Sequence, residues 1–460
     1  MNRRVSLPLV ALLSILGACL AYVVTAEYLA PALRASTAAA PAPALEAAGR
    51  VESADAAALV QQGAYLARIG NCAQCHTAAG GAPYAGGGAL NTPFGKVYGS
   101  NLTPHPQAGI GRWSAADFWR AMHEGVAPDG RVLNPAFPYT SFTHLQRHDS
   151  DALFAYLRSL PPADTPSRPH SLPWPLGSQT ALSAWRMLHF RVADTDSAAK
   201  TQPVGPAHTA PQAAVSLARG AYLVQGLGHC AECHTPRNAL GGLRSAAAWR
   251  GALMPDGQWY APALNDPLEA GMSGWSVADI ATLLTHGQHA EAYMAGPMAE
   301  VVRYSTQYLT PEDAQSMALY LQTLAPHSPT ASSKAASPVT TSGVTARPKD
   351  FALGERLYEN HCAQCHGKSG EGVADAYPAL AGNRAVLMRD THNLVQVVLH
   401  GGYGPSTAGK PQPHGMPPYQ LTLNDAEVAA VLSFIRNAWG QSAAPLSEFD
   451  INTMRNRPAP

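Results

Sequence analysis

The sequence predicts an all-α protein in which one small unit is used three times in tandem, behind an N-terminal membrane anchor helix. Three observations carry that prediction. The stretch Asn71-Cys72-Ala73-Gln74-Cys75-His76 returns as Cys230-Ala231-Glu232-Cys233-His234 and as Cys362-Ala363-Gln364-Cys365-His366. A spacing of roughly 130–160 residues marks a duplicated domain, not a solenoid repeat. A helical pattern containing a glycine precedes each copy: Gly63-Ala64-Tyr65-Leu66, Arg219-Gly220-Ala221-Tyr222-Leu223 and Gly354-Glu355-Arg356-Leu357-Tyr358. The 40 glycines and 39 prolines of this 460-residue chain favour short helices joined by long shaped loops over a regular sheet.

Two cysteines separated by two residues and followed at once by histidine form the attachment signature of a c-type haem. Each thiol adds to one vinyl group, and the adjacent imidazole binds one face of the iron. The motifs therefore predict three covalent haem c groups, attached through Cys72 and Cys75, Cys230 and Cys233, and Cys362 and Cys365. His76, His234 and His366 are the predicted proximal ligands. A zinc ribbon needs its cysteine pairs about 15–20 residues apart, and a thioredoxin-like pair needs a βαβ context that is missing here. Six of the seven cysteines are used in this way. The seventh, Cys19, lies in the N-terminal apolar run, so none remains for a disulfide in the globular part.

Lys and Arg together balance Asp and Glu, 31 against 31. No basic stripe marks a nucleic-acid partner. Residues 1–30 are an anchor or signal segment: Arg3 and Arg4 precede an uncharged apolar run from Val5 to Ala26 that is long enough to span a bilayer. The positive-inside rule then places the bulk of the chain on the periplasmic side of the cytoplasmic membrane. Leu16-Gly17-Ala18-Cys19 also reads as a lipobox, and Val24-Thr25-Ala26 as a signal cleavage site. Residues 31–54 form an Ala/Pro-rich tether.

The first unit, with its connecting strap, spans 55–196. Its helices are expected over 56–70, from Ser114 as N-cap, and over 150–160 before Pro161-Pro162. The strap carries Leu182, Trp185, Met187, Leu188 and Phe190, which read as apolar packing between the first unit and the second. The second unit spans 215–325 and closes with a helix after Thr310-Pro311-Glu312-Asp313. A linker occupies 326–349. The third unit spans 350–441 and closes with a helix over 424–439. A helix before the motif and another at the end of each unit is the arrangement of a class I cytochrome c.

In that arrangement a methionine before the closing helix completes the iron, its soft thioether favouring the reduced state. Met416, in His414-Gly415-Met416-Pro417-Pro418, and Met298, in Gly296-Pro297-Met298-Ala299, are the predicted ligands. Met388 and Met294 are the weaker candidates. The first unit departs from the pattern: Asn134-Pro135-Ala136-Phe137-Pro138-Tyr139 puts phenylalanine where the sulfur belongs. Met122, His123, His144 and His105 are the nearby alternatives, with His144 taken first.

Longer stretches carry a resemblance. They include Asn101-Leu102-Thr103-Pro104, Gly109-Ile110-Gly111-Arg112-Trp113-Ser114, Ala136-Phe137-Pro138-Tyr139, Gly228-His229-Cys230 and Cys233-His234-Thr235-Pro236-Arg237. Over nearly its whole length the chain resembles the membrane-bound tri-haem cytochrome c subunits of periplasmic alcohol, gluconate and aldehyde dehydrogenase complexes. The resemblance implies a non-catalytic electron-transfer subunit. Its catalytic dehydrogenase partner would carry PQQ, FAD or a molybdenum cofactor, a small third subunit would accompany them, and ubiquinone or a terminal oxidase would be the acceptor. The axial positions carry over to Met298 and Met416, whereas many members have methionine at the place of Phe137. Two other readings are a peroxidase-like haem enzyme using an open first haem and a cytochrome subunit of a respiratory oxidase.

Overall fold

The structure, a computed structural model, describes residues 54–193, 214–324 and 348–457. The anchor or signal segment with Cys19, nearly all of the tether, and the linker residues 197–213 and 326–347 lie outside the described residues. Among the described residues, no helix is long and apolar enough to cross a membrane.

The first unit comprises α1 (Ala54–Ile69), the motif turn α2 (Cys72–His76), the ribbon of β1 (Ala89–Thr92) and β2 (Gly95–Tyr98), then α3 (Ala115–Glu124), α4 (Tyr139–Phe142) and α5 (Arg147–Ser159). Ser114 starts α3 with a reciprocal capping box: its hydroxyl accepts from the Asp117 N–H at 3.1 Å, and the Asp117 carboxylate accepts from the Ser114 N–H at 3.0 Å. A strap helix α6 (Gln179–His189) leads to the second unit. There α7 (Leu217–Tyr222) runs on as a π-helical turn over Leu223–Leu227 into the motif turn α8 (Ala231–His234). The ribbon of β3 (Ala252–Leu253) and β4 (Tyr260–Ala261), α9 (Val277–His286), the ribbon of β5 (Gln288–His289) and β6 (Ala292–Tyr293), α10 (Pro297–Tyr304) and α11 (Pro311–Gln322) follow. The third unit has α12 (Pro348–His361), the motif turn α13 (Ala363–His366), α14 (Arg384–Leu387), α15 (His392–His400), the ribbon of β7 (Gly402–Tyr403) and β8 (Gly415–Met416), α16 (Asp425–Ile435) and α17 (Glu448–Arg455). The four ribbons among the described residues are two-stranded and antiparallel.

One device recurs in every unit: the helix before the motif crosses the closing helix at a glycine. A methyl on Gly63 would lie 1.9 Å from the Ala152 carbonyl oxygen, and one on Gly220 the same distance from that of Ser316. On Gly354 it would lie 2.3 Å from that of Ala430. No side chain fits at those separations, so glycine sets how closely the two helices approach.

Among the described residues, the three units are built on two apolar cores. Leu66, Ile69, Phe118, Leu153 and Leu157 of the first unit form one continuous cluster with Leu223, Leu227, Ile280 and Leu321 of the second. Leu357, Tyr358, Val395, Leu432 and Phe434 of the third form another. Two boundaries differ from the sequence reading. The last unit does not stop at 441, because Ile451 of α17 is fully buried in the third core. The closing helix α16 ends at Ile435, not Trp439, which takes a left-handed φ of 55°.

Candidate haem sites

In each motif the two cysteines stand at i and i+3 and the histidine at i+4, positions that share one face of a helical turn. The backbone makes that turn: the His234 N–H donates to the Cys230 carbonyl at 3.0 Å, and His366 to Cys362 at 2.9 Å. Ahead of the first two motifs the chain turns through left-handed residues, Asn71 with φ 53° and His229 with φ 38°. None of the six motif cysteines is in a disulfide. Burial pushes Cys72, Cys230 and Cys362 up to about 12, with the second thiol of each pair adding to the shift.

The three histidines are anchored alike. The Nδ1–H of His76 donates to the Ser100 carbonyl at 2.7 Å, that of His234 to Pro262 at 2.7 Å, and that of His366 to Pro378 at 2.9 Å. A carbonyl only accepts, so this bond fixes the tautomer and leaves the Nε2 lone pair free for a metal. Burial lowers all three imidazole pKa values, opposed by those hydrogen bonds. The backbone carbonyl of each histidine is also taken, by the N–H of Gly86 at 2.8 Å, Gly251 at 3.0 Å and Gly372 at 2.8 Å. Each of those glycines has a positive φ, from 67° to 84°. Gly88 and Gly99 press on the first motif as well, since a methyl on Gly99 would lie 1.9 Å from the Cys75 carbonyl oxygen. The glycine-rich loop of the first unit is therefore a cradle for the motif backbone. Spacing alone did not reveal that role.

Two thiols and an imidazole with a free Nε2 on one helical face fit a covalently held haem. Among the described residues, no group of His, Cys, Asp and Glu is arranged to hold a bare metal ion.

The predicted sixth ligands sit at two different places on the scaffold. Met298 is in the first turn of α10 and half-buried. Met416 lies in β8, paired with Gly402, and packs against the third core. Met294 packs on the shared core, and Met388 is buried with its carbonyl accepting from Arg436 at 2.9 Å. In the first two units the register is common. Gly125 and Gly287 end α3 and α9 in the left-handed region, and their carbonyls accept from Leu133 and Met294, each at 2.8 Å. Counted from that point, Phe137 falls at the place of Met298. Phe137 is half-buried against the shared core, its ring 5.3 Å from that of Phe142.

Among the alternatives for the first unit, Nδ1 of His105 accepts from the Ala108 N–H at 3.0 Å, and its Nε2 lies 3.6 Å from an Asp164 oxygen. Its Nδ1 is therefore committed to the backbone. Met122 is a core residue, and His123 is buried and stacked on Trp119 at 4.3 Å. His144 stands exposed after α4 and lies against the second unit: a methyl on Gly226 would be 3.5 Å from its Cβ.

The first two motifs meet across the joint between their units. Cys233 is pushed up to about 11, first by burial, then by Glu232, with a smaller contribution from Cys75 of the first motif. Gln74, inside the first motif, donates to a Glu300 oxygen on α10 at 2.9 Å. Glu232, inside the second, accepts from the Thr140 hydroxyl at 2.7 Å and from Ser141 at 3.1 Å, both on α4.

Residues 38–161 and 351–439 match the family model of cytochrome c, with the second motif lying between the two matched segments. The chain is 37% identical over 411 residues to the cytochrome c subunit of alcohol dehydrogenase (quinone) from Gluconacetobacter polyoxogenes, covering 88% of this chain and 85% of the relative. It is 34% identical over 412 residues to the gluconate 2-dehydrogenase cytochrome c subunit of Pantoea cypripedii, covering 86% and 90%. A diheme cytochrome c-type protein of Cereibacter sphaeroides is 38% identical over 260 residues, or 55% of this chain and 81% of the relative.

Proposed function

Because this chain belongs to the family of dehydrogenase cytochrome c subunits, we propose that it is the electron-transfer subunit of a membrane-bound periplasmic dehydrogenase, relaying electrons through three covalent haems. A catalytic partner carrying PQQ, FAD or a molybdenum cofactor oxidises the substrate, a small third subunit accompanies the two, and ubiquinone or a terminal oxidase takes the electrons. The observation that carries the reading is the threefold site: three Cys-x-x-Cys-His turns, each with its imidazole Nδ1 bound to a backbone carbonyl.

Haem c, once attached, supplies a one-electron iron couple, with its potential set by axial ligand, hydrogen bonding and burial. The chain's own residues do the rest. The cysteines fix the macrocycle to the turn, and His76, His234 and His366 present Nε2 at a fixed angle. Cys72, Cys230 and Cys362 pack against the apolar cores. Met298 and Met416 are the proposed sulfur donors for the second and third haems, and His144 remains the proposed donor for the first. The uncleaved anchor proposed for residues 1–30 would hold the relay at the cytoplasmic membrane, on its periplasmic side.

The test is isolation of the complex from detergent-solubilised membranes of the native host. The expected result is three haems per chain, a larger dehydrogenase subunit purifying alongside, and haem reduction when that subunit's substrate is added. A chain that purifies alone and oxidises alcohols or aldehydes by itself overturns the proposal. Phe137 favours one second reading, a peroxidase-like enzyme with an open first haem. Six-coordinate, low-spin spectra for all three ferric haems would eliminate it. A neighbouring oxidase gene, in place of a dehydrogenase gene, would favour a respiratory oxidase subunit.

A further inference from the structure

We infer that Glu232, although it lies inside the second haem motif, is a positioning residue for the first haem: it braces the segment of the first unit that carries Phe137. The inference rests on the covalent-haem reading and goes beyond it.

Glu232 lies between Cys230 and Cys233, yet its carboxylate does not point into solvent. Its side chain is only 10% exposed. Oε1 accepts from the Thr140 hydroxyl at 2.7 Å and the Ser141 hydroxyl at 3.1 Å, while Oε2 accepts from Arg237 at 2.5 Å. Arg237 also donates to the Glu232 backbone carbonyl at 3.0 Å, so the carboxylate is aimed before it crosses the joint. Thr140 and Ser141 follow Phe137 directly through Pro138 and Tyr139, and Ser141 is itself buried. The edge of Phe142 packs on the ring of His229, 5.8 Å between centroids, beside the same joint. A charge-assisted pair of hydrogen bonds in a mostly buried place is strong and geometrically demanding.

The joint is crossed in both directions. Gln74, at the corresponding place in the first motif, reaches Glu300 on α10, the helix that carries Met298. That contact is exposed and consequently weaker, which leaves Glu232 as the stronger brace. In the third motif Gln364 is exposed and has no such partner among the described residues. The brace therefore belongs to the first two units, the pair that shares one core. A segment that offers no sulfur at Phe137 gains the most from being held by other means.

The test uses the full-length, three-haem protein, with haem stoichiometry measured first so that failure of the haem reading is seen separately. Each haem's ferric EPR signal and midpoint potential is assigned from variants lacking its own pair of motif cysteines. Glu232→Gln keeps an acceptor oxygen and removes the charge; Glu232→Ala removes both. Both variants are expected to move the second haem through the lost charge. Only Glu232→Ala is expected to change the first haem's EPR signature and, by admitting water that stabilises the ferric state, to shift its reduced-to-oxidised ratio tenfold towards oxidised. That ratio corresponds to about 59 mV for one electron. The pair Thr140→Val and Ser141→Ala, which removes no charge, should reproduce the first-haem change and add nothing to it in the Glu232→Ala background. A first haem that is unchanged in Glu232→Ala, or effects that sum fully in the combined variant, would overturn the inference.

Discussion

At the scale of single residues, most of the chemistry sits in groups whose hydrogen bonds leave one atom free. His76, His234 and His366 each spend Nδ1 on a carbonyl and keep Nε2. With Met416 as the proposed sixth ligand, replacing it by leucine is expected to leave the haem count unchanged and to lower the midpoint potential of the third haem, because a thioether ligand favours reduced iron. Spectroelectrochemical titration measures it, and an unmoved midpoint would remove Met416 from the ligand set. The cysteines and histidines were legible in the sequence because attachment chemistry dictates their spacing. The glycines at 86, 251 and 372 were not, since nothing local says which glycine N–H will reach a histidine carbonyl from a loop of different length in each unit.

At the scale of elements, the closing helices and their partners decide whether a unit forms. Gly220→Ala is expected to destabilise the protein by about 1–3 kcal/mol, the usual cost of overpacking a close-packed contact. Chemical denaturation followed by circular dichroism reads that loss. The sequence showed the repeated glycine as a pattern, and the crossing of α7 over α11 supplied its reason. The helix α17 is clamped to the start of α16 by Asp425, which accepts from Arg455 at 2.5 Å and from Asn452 at 2.7 Å. Burial opposes ionisation there, but these hydrogen bonds and the Arg455 charge hold the Asp425 pKa below the usual carboxylate range. The native state thus binds this proton less readily than the unfolded chain. The stabilisation is present above the ordinary carboxylate pKa, about 4, and is lost as pH falls through the lowered native value. Arg455→Ala is expected to cost roughly 1–3 kcal/mol at neutral pH, with the difference from the parent chain shrinking below about pH 4; unfolding midpoints across that range check it.

At the scale of the whole molecule, the first two units are joined by a reciprocal exchange. Tyr65 of α1 donates to Asp313 of α11 at 2.6 Å, and Tyr222 of α7 donates to Asp149 of α5 at 2.6 Å. Each aspartate also binds its own unit: Asp313 takes Arg219 through two hydrogen bonds, at 2.7 and 2.8 Å, and Asp149 takes Gln62 at 2.7 Å. All four carboxylate contacts are buried or nearly so. Asp313→Ala strands a buried guanidinium and is expected to cost about 3–5 kcal/mol. Calorimetry should show the shared core unfolding earlier while the third core keeps its own transition. The third unit lacks this exchange, with Leu353 and Arg356 at the places of Arg219 and Tyr222. It is held by other contacts. The Arg384 side chain donates to the Gly271 carbonyl at 2.9 Å and lies over Trp275, and Asn393 pairs with the backbone of Tyr260.

The sequence by itself determined the cytochrome c family and the helical character, and it shows one haem motif three times. Those follow from covalent spacing and local periodicity, which act over a few residues. Only the tertiary structure decided that two units share one core, that α17 completes the third, and that Glu232 serves its neighbour's segment. These depend on contacts between residues far apart in the chain, about 30 positions for α17 on α16 and about 90 or more for the joint of the first two units, and no local pattern encodes which surfaces will meet.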